Sequence, residues 1–272
     1  MIAALISLFR LRLALVNGAA ALGGYLLFPA RVDLAAVCAL FIGVVLMAAA
    51  GSALNQVGER DLDRLMQRTC RRPLPTGRLA RRTAVLLAAG CLAAGATLLA
   101  FFGGPLPALL GLAVIVWYLA VYTPLKRRSQ FALAVGAVCG AAAPVIGWCF
   151  AGGSPVDFRV VVLAGVLYLW QVPHFWLLQQ RHAEDYRRAG IPLFEAAGGR
   201  GAASLCRLWL AAMLAAAMML PAFGVLAGSA ALWGAVFCTP LLLTACKRSE
   251  PALFACINLF PVLLTLALCV GR

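Results

Sequence analysis

A chain of 272 residues is long enough for two modest soluble domains, but 64% of it is apolar, only 12% is charged and its mean hydropathy is +0.96. So few charges cannot cover a water-facing surface, which excludes a disordered chain, a secreted disulfide scaffold and a soluble α/β enzyme. The net charge of +14 would point to nucleic acid in a soluble protein; here it reads as membrane topology, and no nucleic-acid partner is expected.

Nine apolar segments follow in chain order, at roughly 13–30, 34–54, 83–102, 106–124, 131–150, 160–179, 208–226, 229–246 and 251–270. Each is long enough to cross the hydrocarbon layer as a helix, and the breaks carry turn chemistry such as Gly103-Gly104-Pro105 and Gly152-Gly153-Ser154-Pro155. The expected fold is an all-α integral membrane protein with nine transmembrane helices in a single domain over residues 1–272. Of the 23 Lys and Arg, 20 fall at the N-terminus or in the loops after the second, fourth, sixth and eighth spans, the last of these holding Lys247 and Arg248. Only Arg31, Arg159 and Arg272 remain for the other side. The positive-inside rule then places the N-terminus and those loops in the cytoplasm, as for a multi-pass protein of a bacterial inner membrane. Arg10 and Arg12 follow the first apolar residues instead of preceding them, so no cleaved signal is expected. The ten cysteines show no metal-ligand spacing and read as small packing residues, apart from Cys70 in a cytoplasmic loop.

Acidic residues are scarce, and their placement is informative. Six of the nine occupy two loops: Glu59, Asp61 and Asp63 after the second span, and Glu184, Asp185 and Glu195 after the sixth. Asn55, Glu59 and Asp63 stand at i, i+4 and i+8, so they stack on one face if the helix continues past the membrane, while Asp61 points to a flank. Like charges at i, i+4 repel unless a cation sits between them, and oxygen ligands beside a phosphate suit Mg²⁺. A solvated helix extension paired with Arg60, Arg64 and Arg68 satisfies the same spacing. The turn-rich stretch from Arg68 to Arg78 adds arginine forks, which grip phosphate oxygens. Topogenic charge explains the number of arginines there but not the acids among them.

Further along, Tyr122-Thr123-Pro124-Leu125-Lys126-Arg127-Arg128 sets three cations where a helix emerges, either as a topogenic cluster or as a second phosphate contact. The sixth span ends on Trp170-Gln171-Val172-Pro173-His174-Phe175-Trp176, with His182, Glu184, Asp185 and Tyr186 beyond. Pro173 should kink the helix and free backbone carbonyls. His174 lies about 16 Å above Asp185 along an ideal helix, where an ionisable side chain defaults to a functional hypothesis; bonding the freed carbonyls is its other reading.

Taken together, these motifs resemble the UbiA superfamily of intramembrane prenyltransferases, and within it the branch that farnesylates protohaem IX. They stand here as Asn55, Glu59, Asp61, Asp63, Met66, Arg68-Thr69, Arg72-Pro73-Leu74 and Gly77-Arg78; then Tyr122-Thr123, Leu125-Lys126-Arg127-Arg128, Gly136, Gly140, Pro144 and Gly147-Trp148; then Pro173-His174-Phe175-Trp176, Glu184-Asp185-Tyr186 and Ala189-Gly190-Ile191-Pro192. Glu59 replaces the usual Asp, and the Lys-Pro-Arg that commonly opens the first helix is missing. The resemblance implies a helical bundle with a central cavity open to the cytoplasm. It implies Mg²⁺ on Asn55, Glu59, Asp63 and Asp185, with Glu59, Asp63, His174 and Asp185 catalytic. Substrate contacts would come from Asn55, Asp61, Arg68, Arg72, Lys126, Arg127, Tyr122, Trp176 and Glu184. The implied reaction transfers farnesyl from farnesyl diphosphate to a vinyl group of haem B, a substrate and not a cofactor, and adds water to give haem O and diphosphate. Trp148, Phe175 and Trp176 would stabilise an allylic cation or simply pack. Haem A synthase or terminal-oxidase assembly factors are the implied protein partners, and the lipid bilayer is the setting.

A related transferase acting on an aromatic quinone precursor would share the diphosphate site but leave Pro-His-Phe-Trp unexplained. Transport fits less well, because the span centres contain no Asp, Glu, Lys or Arg and the ionisable residues gather at one rim. A reporter fused after Arg82 or Arg128 is expected to read cytoplasmic, and one after Gly153 external; an external signal after Arg82 would refute the layout.

Overall fold

A computed structural model describes residues 2–29, 31–193, 200–228, 230–246 and 250–270, and every regular element among them is helical. Lipid offers no water to backbone groups, so each apolar segment must bond its own amides. Helices α1 (Ile2–Phe9) and α2 (Leu11–Leu27) meet at a 51° bend. Asp33 caps α3 (Leu34–Gly58), accepting from the Ala35 and Ala36 amides at 3.4 and 3.0 Å. The short α4 (Arg60–Leu65) follows, then α5 (Arg81–Gly103) and α6 (Pro105–Val116), divided at Gly104 with φ +82°. A π-helical turn, Trp117–Tyr122, and α7 (Thr123–Leu125) prolong α6. The remaining helices are α8 (Ala132–Phe150), α9 (Phe158–Arg181), α10 (Ala183–Arg188), α11 (Arg200–Ala222), α12 (Ala230–Trp233), α13 (Thr239–Cys246) and α14 (Glu250–Val270).

Seven of the described helices are long and apolar enough to cross a membrane, or eight when α1 and α2 form one bent span. The chain is a multi-pass membrane protein. These spans cover eight of the nine expected segments, and the helical run of α12 and α13 with the π-turn Gly234–Cys238 occupies the place of the other. Glu195, Lys247 and Arg248 lie outside the described residues.

Four apolar clusters hold the bundle among the described residues, and two of them are large. Leu163, Met213, Leu220, Phe237, Ile257 and Phe260 pack where α9, α11 and α14 meet, while Ala21, Leu40, Met47, Leu99 and Ile146 join α2, α3, α5 and α8. Lipid tails are as apolar as leucine, so helices associate mainly through close packing, which small residues permit. The α2–α8 contact is extreme in this respect. A Cβ on Gly147 would lie 1.8 Å from the Ala21 carbonyl oxygen, and one on Gly24 1.9 Å from the Pro144 oxygen. Pro144 cannot donate an amide to its own helix, and α2 passes directly over it.

Gly147→Ala should therefore force two backbones apart, costing about 1–3 kcal/mol or more as an overpacking substitution, read as a lower thermal midpoint in detergent. Gly165→Ala, with nothing within 4 Å of its Cβ, is the control and should be neutral. Equal midpoints for the two variants would refute the close approach.

Candidate active site

At the end of the bundle bearing the acid-rich loops is a cavity of about 220 Å³. Its walls come from the start of α2, the last turns of α3, α4, the loop to Arg72, the π-turn after α6, the start of α8, the end of α9 and the segment after α10. Glu59 (φ −109°, ψ 15°) interrupts the helix between α3 and α4. Even so, the Glu59 amide donates to Asn55 O at 2.9 Å and the Asp63 amide to Glu59 O at 2.8 Å. The four-residue step survives the break, and Asn55, Glu59 and Asp63 all line the cavity, buried. Asp61, expected to bind substrate, has a side chain 94% exposed and lies 3.5 Å from Arg64, because two residues along a helix turns it to the far face.

Each buried acid meets a cation. Lys126 Nζ lies 2.5 Å from Glu59 Oε2, and one guanidinium nitrogen of Arg72 donates to both Asp63 oxygens at 3.0 and 2.9 Å. Burial pushes the Lys126 and Arg72 pKa values below their usual levels, against the upward pull of Glu59 and Asp63. Glu59 Oε1 is buried and has no hydrogen-bond partner. An anionic oxygen left open in this way fits a divalent cation.

Asn55 is oriented by a short chain of hydrogen bonds. Thr123 donates its hydroxyl to the Tyr118 carbonyl at 2.7 Å, so it can only accept from Asn55 Nδ2, at 3.0 Å. That fixes the amide nitrogen toward the π-turn and leaves the Asn55 carbonyl oxygen as the atom available to a ligand. The π-turn also brings Tyr118 and Tyr122 onto the cavity with rings stacked at 5.6 Å. Such turns recur at functional sites.

Arg68, expected as a substrate contact, lines the cavity, and so does Arg10, which sequence reasoning did not single out. Arg10 joins α1 to α2 at φ 45°, the one non-glycine residue with positive φ among those described. A left-handed residue costs roughly 1–2 kcal/mol, so surrounding contacts must hold it. Gln56 supplies one, its Nε2 donating to the Ser7 and Leu8 carbonyls at 3.2 and 2.6 Å and tying the end of α1 to α3. The only signal in the sequence was a cation splitting an apolar run.

Other expected residues lie elsewhere. His174 is not on the cavity wall: its ring stacks 5.0 Å from Trp170 and 5.9 Å from Phe254 of α14, with Nδ1 buried and unpartnered. One residue on, a rotation of about 100° carries Phe175 onto the wall instead. Trp176 lines a separate apolar pocket with Pro173 and Trp209. Trp148 donates to Ser154 O at 2.9 Å and packs on Phe28, a structural contact. Arg127 is exposed near Gly58 O. Glu184 is 67% exposed and faces Arg187 and Arg188, where solvent satisfies it. Asp185, expected as a metal ligand, accepts the Gln67 and Arg68 amides on its two oxygens at 2.9 and 3.0 Å and is absent from the cavity wall. Desolvation raises its pKa, but those amide bonds and the charge of His182 hold it below its usual value overall. Among the described residues no three His, Cys, Asp or Glu side chains gather as a metal cluster.

Buried acids and cations thus share one cavity at the polar end of an apolar, membrane-spanning helical bundle. The chain belongs to the UbiA prenyltransferase family, whose model matches residues 16–268. It is 56% identical over 264 residues to a Geobacter sulfurreducens protein described as protoheme IX farnesyltransferase, covering 96% of each chain. An Oleidesulfovibrio alaskensis protein of the same description is 40% identical over 232 residues, covering 85% of this chain and 81% of that one. Among solved structures, a UbiA homolog from Aeropyrum pernix K1 in its apo form shares the fold with a TM-score of 0.77 at 22% identity, covering 96% of this chain and 97% of that one. A UbiA homolog from Archaeoglobus fulgidus bound to GPP and Mg²⁺ does so with a TM-score of 0.71 at 15% identity, covering 98% and 99%.

Gln56→Leu would strand the Leu8 carbonyl and leave the Ser7 carbonyl with only the Arg10 amide at 3.3 Å, a loss of about 1–3 kcal/mol, and should lower the thermal midpoint while exposing the Arg10 bond to trypsin. Unchanged cleavage after Arg10 would show that α1 is held by other contacts.

Proposed function

We propose that this chain transfers the farnesyl group of farnesyl diphosphate to a vinyl carbon of protohaem IX, adding water to form haem O and releasing diphosphate. The observation that carries the reading is the pair of buried acid–cation contacts, Glu59 with Lys126 and Asp63 with Arg72, beside the open Glu59 oxygen. Relatives at 56% and 40% identity described as protoheme IX farnesyltransferases support the choice of acceptor. Glu59, Asp63 and the Asn55 carbonyl oxygen would hold Mg²⁺, which supplies charge neutralisation at the diphosphate.

Before substrate enters, the two cations neutralise the two acids. On entry Lys126 and Arg72 turn from carboxylate to phosphate oxygens, joined by Arg68 and Arg10, and the acids are released to their ligand. Cation contacts of this kind favour the leaving group as the allylic C–O bond breaks, its electron pair passing to the bridging oxygen. The farnesyl cation is left facing Tyr118, Tyr122 and Phe175, whose rings offer π-density. Attack by the vinyl π-bond forms the new C–C bond and moves the positive charge to the carbon beside the porphyrin. Water adds there and loses a proton. Dry apolar walls keep water from the farnesyl cation until that point. His174, packed behind the wall, is assigned a positioning role: it sets Phe175 through its stacking with Trp170 and Phe254. Charge distribution supports a bacterial inner-membrane location with a cytoplasmic N-terminus and the cavity on that side.

Arg10→Gln, Arg68→Gln and Lys126→Gln should each reduce kcat/KM for farnesyl diphosphate by about 10- to 100-fold, the loss of one charge-assisted contact, in a diphosphate-release assay that chelator abolishes. Half-saturation by Mg²⁺ should also fall as farnesyl diphosphate rises, since each ligand frees the partners of the other. Wild-type kinetics in all three variants would defeat the reading of the cradle. A farnesylated haem in pigment extracts of expressing cells is the expected product, and a prenylated quinone precursor in its place would reassign the acceptor.

A further inference from the structure

We infer that Asp185 is a positioning residue that clamps the loop from Met66 to Arg72 over the cavity, and that it acts through two backbone amides instead of touching substrate or cation. The clamp rests on the reading of this cavity as a prenyl diphosphate site only in so far as it bears on binding.

The geometry is specific. Asp185 Oδ1 accepts the Gln67 amide at 2.9 Å and Oδ2 accepts the Arg68 amide at 3.0 Å, so one carboxylate grips two consecutive peptide groups from 117 and 118 residues away. The side chain is buried, with 7% of the residue exposed. Ion–amide bonds in a shielded place are among the stronger hydrogen bonds. The gripped loop is wired to the acids: Thr69 Oγ1 donates to Asp63 O at 2.9 Å, the Arg72 amide donates to Thr69 O at 3.0 Å, and the Arg72 guanidinium holds the Asp63 carboxylate. Met66, Arg68, Thr69 and Arg72 all line the cavity. On the other side, α10 carries Tyr186, and the Ile191 amide donates to Tyr186 O at 3.0 Å; both residues line the cavity too. Asp185 thus joins the two segments that roof the site, and its removal should release Arg68 and Arg72 together.

Gln67 permits a test from the opposite partner. Met66 is extended (φ −97°, ψ 128°), the conformation favoured before proline, and Thr69 N bonds Met66 O at 3.1 Å, placing Gln67 second in a turn, where proline is favoured. Gln67→Pro therefore deletes one donor while keeping the turn and leaving Asp185 in place. In the full chain in detergent, without metal or substrate, Asp185→Asn should raise exchange of the Arg68 amide by about tenfold or more and quicken tryptic cleavage after Arg68 and Arg71. Asp185→Glu should restore part of that protection. In kinetics, Asp185→Asn and Gln67→Pro should each raise KM for farnesyl diphosphate, the double variant should be no worse than Asp185→Asn alone, and Mg²⁺ half-saturation measured at saturating farnesyl diphosphate should not weaken. Wild-type protection of the Arg68 amide in metal-free Asp185→Asn overturns the clamp. So do additive effects in the double variant, or weakened Mg²⁺ saturation, which mark a metal ligand. Loss of protection without any change in farnesyl diphosphate kinetics would uphold the clamp and instead count against the diphosphate reading of the cavity.

Discussion

Burying two carboxylates one helical turn apart, as α3 and α4 do with Glu59 and Asp63, is unfavourable unless each anion meets a cation in good geometry. Much of the polar end of the bundle follows from that requirement. Lys126 reaches Glu59 because the π-turn and α7 carry the chain past the end of α6 to the right height. Arg72 reaches Asp63 because the intervening loop folds back on itself, through Thr69 and the clamp at Asp185. Neither pair is a surface ornament. Removing one member leaves the other charge without its partner in a shielded setting, which costs stability.

The rest of the molecule serves as a frame for this set. In lipid, apolar contact between helices gains nothing over contact with acyl chains, so the frame depends on backbones that touch and on buried polar groups that are satisfied. Gly24 and Gly147 let α2 lie against α8. Gln171 crosses from α9 to donate to the Ala137 carbonyl of α8 at 3.1 Å, and Trp170 donates to Ile257 O of α14 at 2.7 Å. Gln56 does the same for α1. Met47 and Ile115 of the core between α2, α3, α5 and α8 also line the cavity, where they meet the buried acids and cations.

Much of the site was legible in residue spacing. Asn55, Glu59 and Asp63 could be placed on one face because backbone hydrogen bonds at i, i+4 persist even where the helix bends at Glu59. The same periodicity already turned Asp61 away. The Pro173-His174-Phe175-Trp176 run was different. Its residues point in four directions around α9, and which of them meets the cavity depends on the rotation of that helix against α8 and α14. That rotation is set by the packing of Trp170, His174 and Phe254. Hence Phe175 took the wall, while His174 and Trp176 faced elsewhere.

Composition and charge placement determined the solvent, the helical class and the end of the bundle where the chemistry gathers, since hydration and backbone bonding are properties each segment has by itself. Contacts between segments far apart in the chain were decided only in three dimensions. Arg10 became a cavity residue through a left-handed turn that no propensity favours and that Gln56 helps to hold. Asp185 found two amides that have no side-chain signature at all, because any residue except proline carries one. Backbone partners and helix phase depend on packing energies summed over many neighbours, which is why a linear motif can name the residues of such a site without saying which of them face it.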